Sequence, residues 1–169
     1  MKSTGIKFGI YSSGVLVVLF ALQFLFEDAM SYSTSEIYGY VSIILALSFV
    51  YFGIRNYRDA LNNGLVSFSK ALKIGLIITL LTSITFGLIN LVYTEIINPD
   101  FTNEYYAQSI EKFRETLSEA EFQLKLKELE VQKEMFSNPL VGFSVMALTV
   151  FIIGFIISLI SGLLLQRKN

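Results

Sequence analysis

The sequence predicts an all-α fold: an integral membrane four-helix bundle, with an extracytoplasmic amphipathic helical insertion between the third and fourth spans. Three observations carry that expectation. Apolar residues make up 53% of the 169 and charged residues only 16%, and the apolar ones gather in four long blocks. No Asp, Glu, Lys or Arg lies in the central part of any block, where a charge would cost several kcal/mol in hydrocarbon. Between the third and fourth blocks, from about 99 to 138, the chain turns charged and its apolar positions recur at helical spacing.

A membrane-spanning helix needs about 20 mostly apolar residues, because a rise of ~1.5 Å per residue must cover a hydrocarbon layer of ~30 Å. The first block runs from about 8 to 26 (FGIYSSGVLVVLFALQFLF). Lys2 and Lys7 precede it, as in a secretory leader. Its apolar run exceeds the ~7–15 residues of a leader core, however, and the nearest cleavage-like pattern, Ala29-Met30-Ser31, follows the acidic Glu27-Asp28. A retained helix is expected. The second block, about 37–54, is a minimal span. The third covers about 74–97, with Glu95 near its end, and the fourth about 140–165.

Orientation follows the basic residues. Lys2, Lys7, Arg55, Arg58, Lys70, Lys73, Arg167 and Lys168 fall on one side of the expected bilayer, with the single acid Asp59. The opposite side holds Glu27, Asp28 and Glu36 in its first loop. Its second loop, from Glu95 to Pro139, carries ten acids against five bases. Both termini are therefore expected in the cytoplasm of a multi-pass cytoplasmic (inner) membrane protein, with the acidic loops outside.

The basic stretch between the second and third spans, RNYRDALNNGLVSFSKALKIG, has a bland explanation as a turn with cytoplasmic anchors. Docking or binding of anionic headgroups is the alternative. The second helix is expected to continue to about Leu61. Asn62-Asn63-Gly64 supplies a turn, since Asn and Gly tolerate positive φ, and Ser67 can cap a helix that starts at Phe68. Asp59 is the only acid nearby. Adjacent helical residues diverge by about 100°, which favours Arg55 over Arg58 as its partner; Lys70 or Lys73 could reach it if the loop folds back.

In the insertion, Pro99-Asp100 marks a break, and Thr102 or Asn103 can cap a helix beginning at Glu104. Tyr106, Ile110, Phe113 and Leu117 then define an apolar face. Ser118-Glu-Ala-Glu121 reads as a capping box opening a second helix, about 119–136, with Phe122, Leu126, Leu129 and Phe136 along a stripe. Asn138-Pro139 ends it and opens the fourth span. A single helix over 104–136 is the alternative, since no Gly or Pro interrupts it. The apolar faces must cover the membrane surface, each other or another protein.

Each span carries small residues at one-turn spacing: Gly5, Gly9, Ser13 and Ala21; Ser42 and Ala46; Gly75, Thr79, Ser83 and Gly87; Gly154, Ser158 and Gly162. In lipid, close backbone approach through such residues supplies helix association. Thr79, Thr82, Ser83, Thr85 and Asn90 make the third span the most polar. A path for a solute is one use of these groups; hydrogen bonds to carbonyls one turn back are the other.

Several chemistries are excluded. There is no Cys and no His, so thiolate metal sites, cysteine nucleophiles and histidine general bases are absent. A net charge of −1 offers nothing to nucleic acid. Glu119/Glu121 and Glu128/Glu130 are two residues apart and so lie on different helix faces. No cofactor or metal is expected, and an enzyme is the weakest of three readings. The foremost reading is a non-catalytic membrane protein acting through protein contacts or homo-oligomer packing, with the lipid bilayer and a second copy or another membrane protein as partners. The second is a small-molecule or ion pathway along the third helix.

GIRNYRD at 53–59, followed by SFSKALKIGL at 67–76, resembles the signature of a bacterial four-helix membrane family catalogued as domain of unknown function 4199. The layout is similar over nearly the whole chain: four spans, a basic loop after the second, an acidic helical insertion, and Asn138-Pro139 at the start of the fourth. Thr116-Leu117 departs from the pattern, which has a Gly before the Ser-Glu turn. The resemblance implies an architecture and no reaction. It marks Arg55, Tyr57, Arg58, Asp59, Ser67, Phe68, Lys70 and Lys73 as candidates for a shared structural or docking role.

Overall fold

The computed structural model describes residues 1–26, 30 and 32–167. The acids Glu27 and Asp28, Ala29 and Ser31 of the cleavage-like pattern, and Lys168 lie outside the described residues. Among the described residues six α-helices form: α1 (Lys2–Leu25), α2 (Tyr32–Asn56), α3 (Phe68–Val92), α4 (Phe101–Thr116), α5 (Glu119–Phe136) and α6 (Pro139–Leu165). α2 runs on through a π-helical turn at Tyr57–Leu61, and α3 through another at Tyr93–Ile97. Among the described residues there is no β-strand, only an isolated antiparallel bridge between Val66 and Arg167.

Helices α1, α2, α3 and α6 are long and apolar enough to cross a membrane. They begin before the apolar blocks do, because their flanking residues continue the hydrogen-bond ladder once a helix has nucleated. α6 opens as a proline-first helix should. Pro139 fills the first helical position, where no N–H is needed, and the Asn138 side-chain oxygen accepts from the Leu140 N–H at 3.0 Å.

The chain divides into two compact units, residues 1–86 with 146–169, and residues 87–145. In the first, Leu16, Leu47, Val50, Ile54, Ile74, Ile78 and Val150 are fully buried. Small residues set how closely its helices approach. A Cβ built on Gly9 would come within 2.5 Å of the Leu81 side chain, and one on Gly5 within 2.9 Å of Ile77, so α1 and α3 touch backbone to side chain. A Cβ on Gly53 of α2 would meet Ile78 at 2.7 Å, and one on Gly75 would meet Ser158 of α6 at 2.6 Å. Gly154 faces Thr79, and Gly162 lies under the Phe68 ring.

Hydroxyls complete these interfaces. Ser12 donates to the Ala46 carbonyl at 2.7 Å and accepts from Thr82 at 2.7 Å, which ties α1 to both α2 and α3. Thr85 lies 2.9 Å from Ser13, and Thr79 lies 3.2 Å from Ser158. Thr82 and Ser158 also reach carbonyls four residues back, and Ser83 reaches the Leu80 carbonyl. Ser42 and Ala46 are buried on α2.

The second unit contains the α4–α5 hairpin. The chain leaves helical geometry at Leu117 and Ser118, both extended. Two helices form here, not one rod. Glu121 accepts from the Ser118 hydroxyl at 2.6 Å and from its backbone N–H at 3.2 Å, closing the capping box. The apolar faces cover each other: Tyr106, Phe122 and Leu129 are buried, Arg114 lies over the Phe122 ring and Lys125 over the Phe113 ring.

α4 begins at Phe101, three residues ahead of the expected start at Glu104. Asp100 takes the cap position without a side-chain bond, and Thr102 and Asn103 fall inside the helix. Local contacts override the best capping residue here. Phe101 packs edge-on against Tyr93 with ring centroids 5.1 Å apart, and its N–H bonds the Asn98 carbonyl. In the same unit Gly87 sits against Phe143, whose carbonyl would be 2.9 Å from an added Cβ.

Candidate docking site at the basic loop

The basic loop is built on the end of α2. After the π turn, Asn63 and Gly64 adopt φ of 51° and 79°, the left-handed region that Asn and Gly tolerate best. This reverses the chain. The Gly64 N–H returns to the Arg58 carbonyl at 2.8 Å, and the Asn62 side-chain amide donates to the Leu65 carbonyl at 2.5 Å. Val66 and Arg167 exchange both backbone hydrogen bonds, at 3.1 and 2.8 Å. The loop is thereby pinned to the residues that follow α6. α3 then starts at Phe68, with the Ser67 carbonyl accepting from Ala71 at 3.0 Å.

Arg58 is the centre of this arrangement. Its Nε and Nη2 donate to the two carboxylate oxygens of Asp59 at 2.6 and 3.0 Å, a bidentate fork. Its Nη1 lies 3.4 Å from the carbonyl of Leu165, at the C-terminus of α6, where a cation complements the helix dipole. The side chain is only 12% exposed, against 57% for Arg55. The expected preference of Asp59 for Arg55 is thus corrected. Arg55 reaches Asp59 at 3.6 Å, the longer contact. The 100° argument governs where side chains leave the backbone, but arginine is long enough to fold back over its neighbour, and this segment has left α-helical geometry.

The other candidates separate in space. Phe68 packs on α6 at Gly162. Tyr57 and Ser67 are half-buried; Lys70 and Lys73 are exposed. Neither lysine pairs with Asp59, and neither has an ion-pair partner among the described residues. Arg167, Val66 and the Leu165 carbonyl complete the clamp without having been candidates. Nothing local in the sequence marks a backbone pairing across a hundred residues.

Outside the loop, Glu104 accepts from Asn98, and three carboxylates of α5 are engaged with their own helix or its cap. Glu119 accepts from Gln123, Glu128 from Lys125 and Gln132, and Glu121 from Ser118. No cluster of three or more metal-ligating side chains forms among the described residues.

These features define a class: an all-helical protein of the membrane type, with four apolar helices of spanning length and a basic loop clamped between two of them. Within that class, the family model described as protein of unknown function (DUF4199) matches residues 7–167, and the chain belongs to that family. No curated protein and no solved structure matches it.

Proposed function

We propose that the protein is a non-catalytic, multi-pass component of the cytoplasmic membrane, with both termini in the cytoplasm and the α4–α5 hairpin outside, acting through contacts with a second copy or another membrane protein. The observation that carries this reading is the interior of the first unit. The buried hydroxyls of Ser12, Thr79, Thr82 and Ser158 are bonded to one another or to backbone, the buried Oε1 of Gln23 being the polar atom left without a partner, and Gly5, Gly9, Gly53, Gly75 and Gly154 sit where a single added carbon would clash. Such an interior serves association of helices. Thr79 and Ser158 bond each other across the α3–α6 contact, which weighs against a solute path along α3.

One face of α1 is free for a partner. Gly14 has no atom within 4 Å of an added Cβ, and Val17, Val18 and Ala21 beside it are exposed. The native chain lacks cysteine, so a single introduced thiol reports without background. Gly14→Cys or Val17→Cys in native membranes should form an oxidation-dependent dimer, or a crosslink to one reproducible partner identified by mass spectrometry. A chain that stays solitary with both thiols, and with a general amine crosslinker, would sink the protein-contact role.

A further inference from the structure

We propose that a groove along the N-terminal part of α1 binds an anionic phospholipid from the cytoplasmic leaflet. This rests on the membrane reading above and is independent of the protein-contact role. The groove has a volume of about 490 Å³ and is lined by Lys2, Ser3, Ile6, Lys7, Ile10 and Tyr11. Those six residues form two parallel ridges with one-turn spacing, Lys2-Ile6-Ile10 and Ser3-Lys7-Tyr11. Between such ridges a helix surface is concave.

The chemistry is graded along the groove. At one end stand the Lys2 ammonium and the Ser3 hydroxyl, and the Lys7 ammonium lies further along on the other ridge. At the other end stand Ile10 and the Tyr11 ring, both exposed. Lys7 is held toward the apolar end, its Nζ 5.8 Å from the centroid of the Tyr11 ring. Tyr11 is itself fixed edge-on against Phe8, at 5.7 Å, and Phe49 of α2, at 6.3 Å. The first 26 residues contain no acid, and neither lysine has an ion-pair partner among the described residues. An occupant complementary to this surface carries a negative charge at one end and a hydrocarbon chain at the other. A phospholipid with an anionic headgroup meets both demands, its phosphate between Lys2 and Lys7 and an acyl chain along Ile6 and Ile10. Among the other basic residues of that side, Arg55 and Arg58 are committed to Asp59.

The test is native mass spectrometry of the full chain, titrated in non-ionic detergent with phosphatidylglycerol or phosphatidylcholine. The native chain should retain phosphatidylglycerol in clear preference. Lys2→Gln with Lys7→Gln should abolish that preference, at about fivefold per lysine near an anionic surface. Lys70→Gln with Lys73→Gln removes the same charge from the same side and should leave it intact. Equal losses from both double variants would reduce the effect to diffuse charge and overturn the groove, as would equal retention of the two lipids by the native chain. Carbonate washing of membranes separates the two failures. A native chain that washes off sinks the membrane reading, whereas a chain that stays but shows no lipid preference sinks only the groove.

Discussion

Arg58 holds Asp59 and the last carbonyl of α6 with one guanidinium plane, and its backbone carbonyl accepts from the Gly64 N–H of the turn. A lysine keeps the charge but offers a point donor where two parallel bonds are needed. Arg58→Lys should therefore lower the melting temperature in detergent by an amount corresponding to about 1–3 kcal/mol, the scale of a charged hydrogen bond lost from a mostly buried position. Arg55→Lys, exposed and 3.6 Å from the same acid, should be silent within about 0.5 kcal/mol. Equal effects from the two would mean that the fork carries no weight. The glycines sort by the same logic. Gly154→Val forces a branched side chain into Thr79 and should cost about 1–3 kcal/mol or more through overpacking. Gly14→Val meets open space and should leave the melting temperature of the isolated chain unchanged, while weakening any contact made through that face.

At the scale of the element, the start of α5 depends on one carboxylate. The Ser118 hydroxyl first, and its backbone N–H second, hold the Glu121 carboxyl below the usual carboxylate range. A folded value below the unfolded one means that the box contributes fully above the unfolded value and is lost as pH falls through the folded one. Protection of the amides around residues 118–122, taken relative to the intrinsic exchange rate at each pH, should therefore fall on acidification, and Glu121→Gln should flatten that response. A pH-independent profile in the native chain would remove the box from the hairpin's stability. This element was legible in sequence because its signal is local: Ser and Glu three apart before an apolar stripe. The start of α4 was not, since it is decided by the Tyr93–Phe101 contact. Nor were the π turns at 57–61 and 93–97, which extend their helices without a residue pattern of their own.

Across the whole molecule, legibility follows range. Four apolar runs identify four long helices, because length and hydropathy are properties of single segments. The clamp at the basic loop joins residues a hundred apart in sequence, through backbone atoms that every residue possesses, so residue identity could not reveal it. Charge asymmetry is a further single-segment property, and it makes a prediction that geometry alone does not. If basic residues set orientation, the loop at 62–67 faces the cytoplasm and the α4–α5 hairpin faces outward. Ser69 and Ala107 are exposed, one beside the loop and one on α4, and the chain has no cysteine of its own. Ala107→Cys should react with a membrane-impermeant maleimide added to intact spheroplasts. Ser69→Cys should react only after permeabilisation. Because Arg58→Lys preserves charge, it should leave this labelling pattern unchanged even as it lowers thermal stability, which separates the loop's role in topology from its role in the fold. The opposite labelling pattern would invert the orientation and place the α1 groove in the outer leaflet.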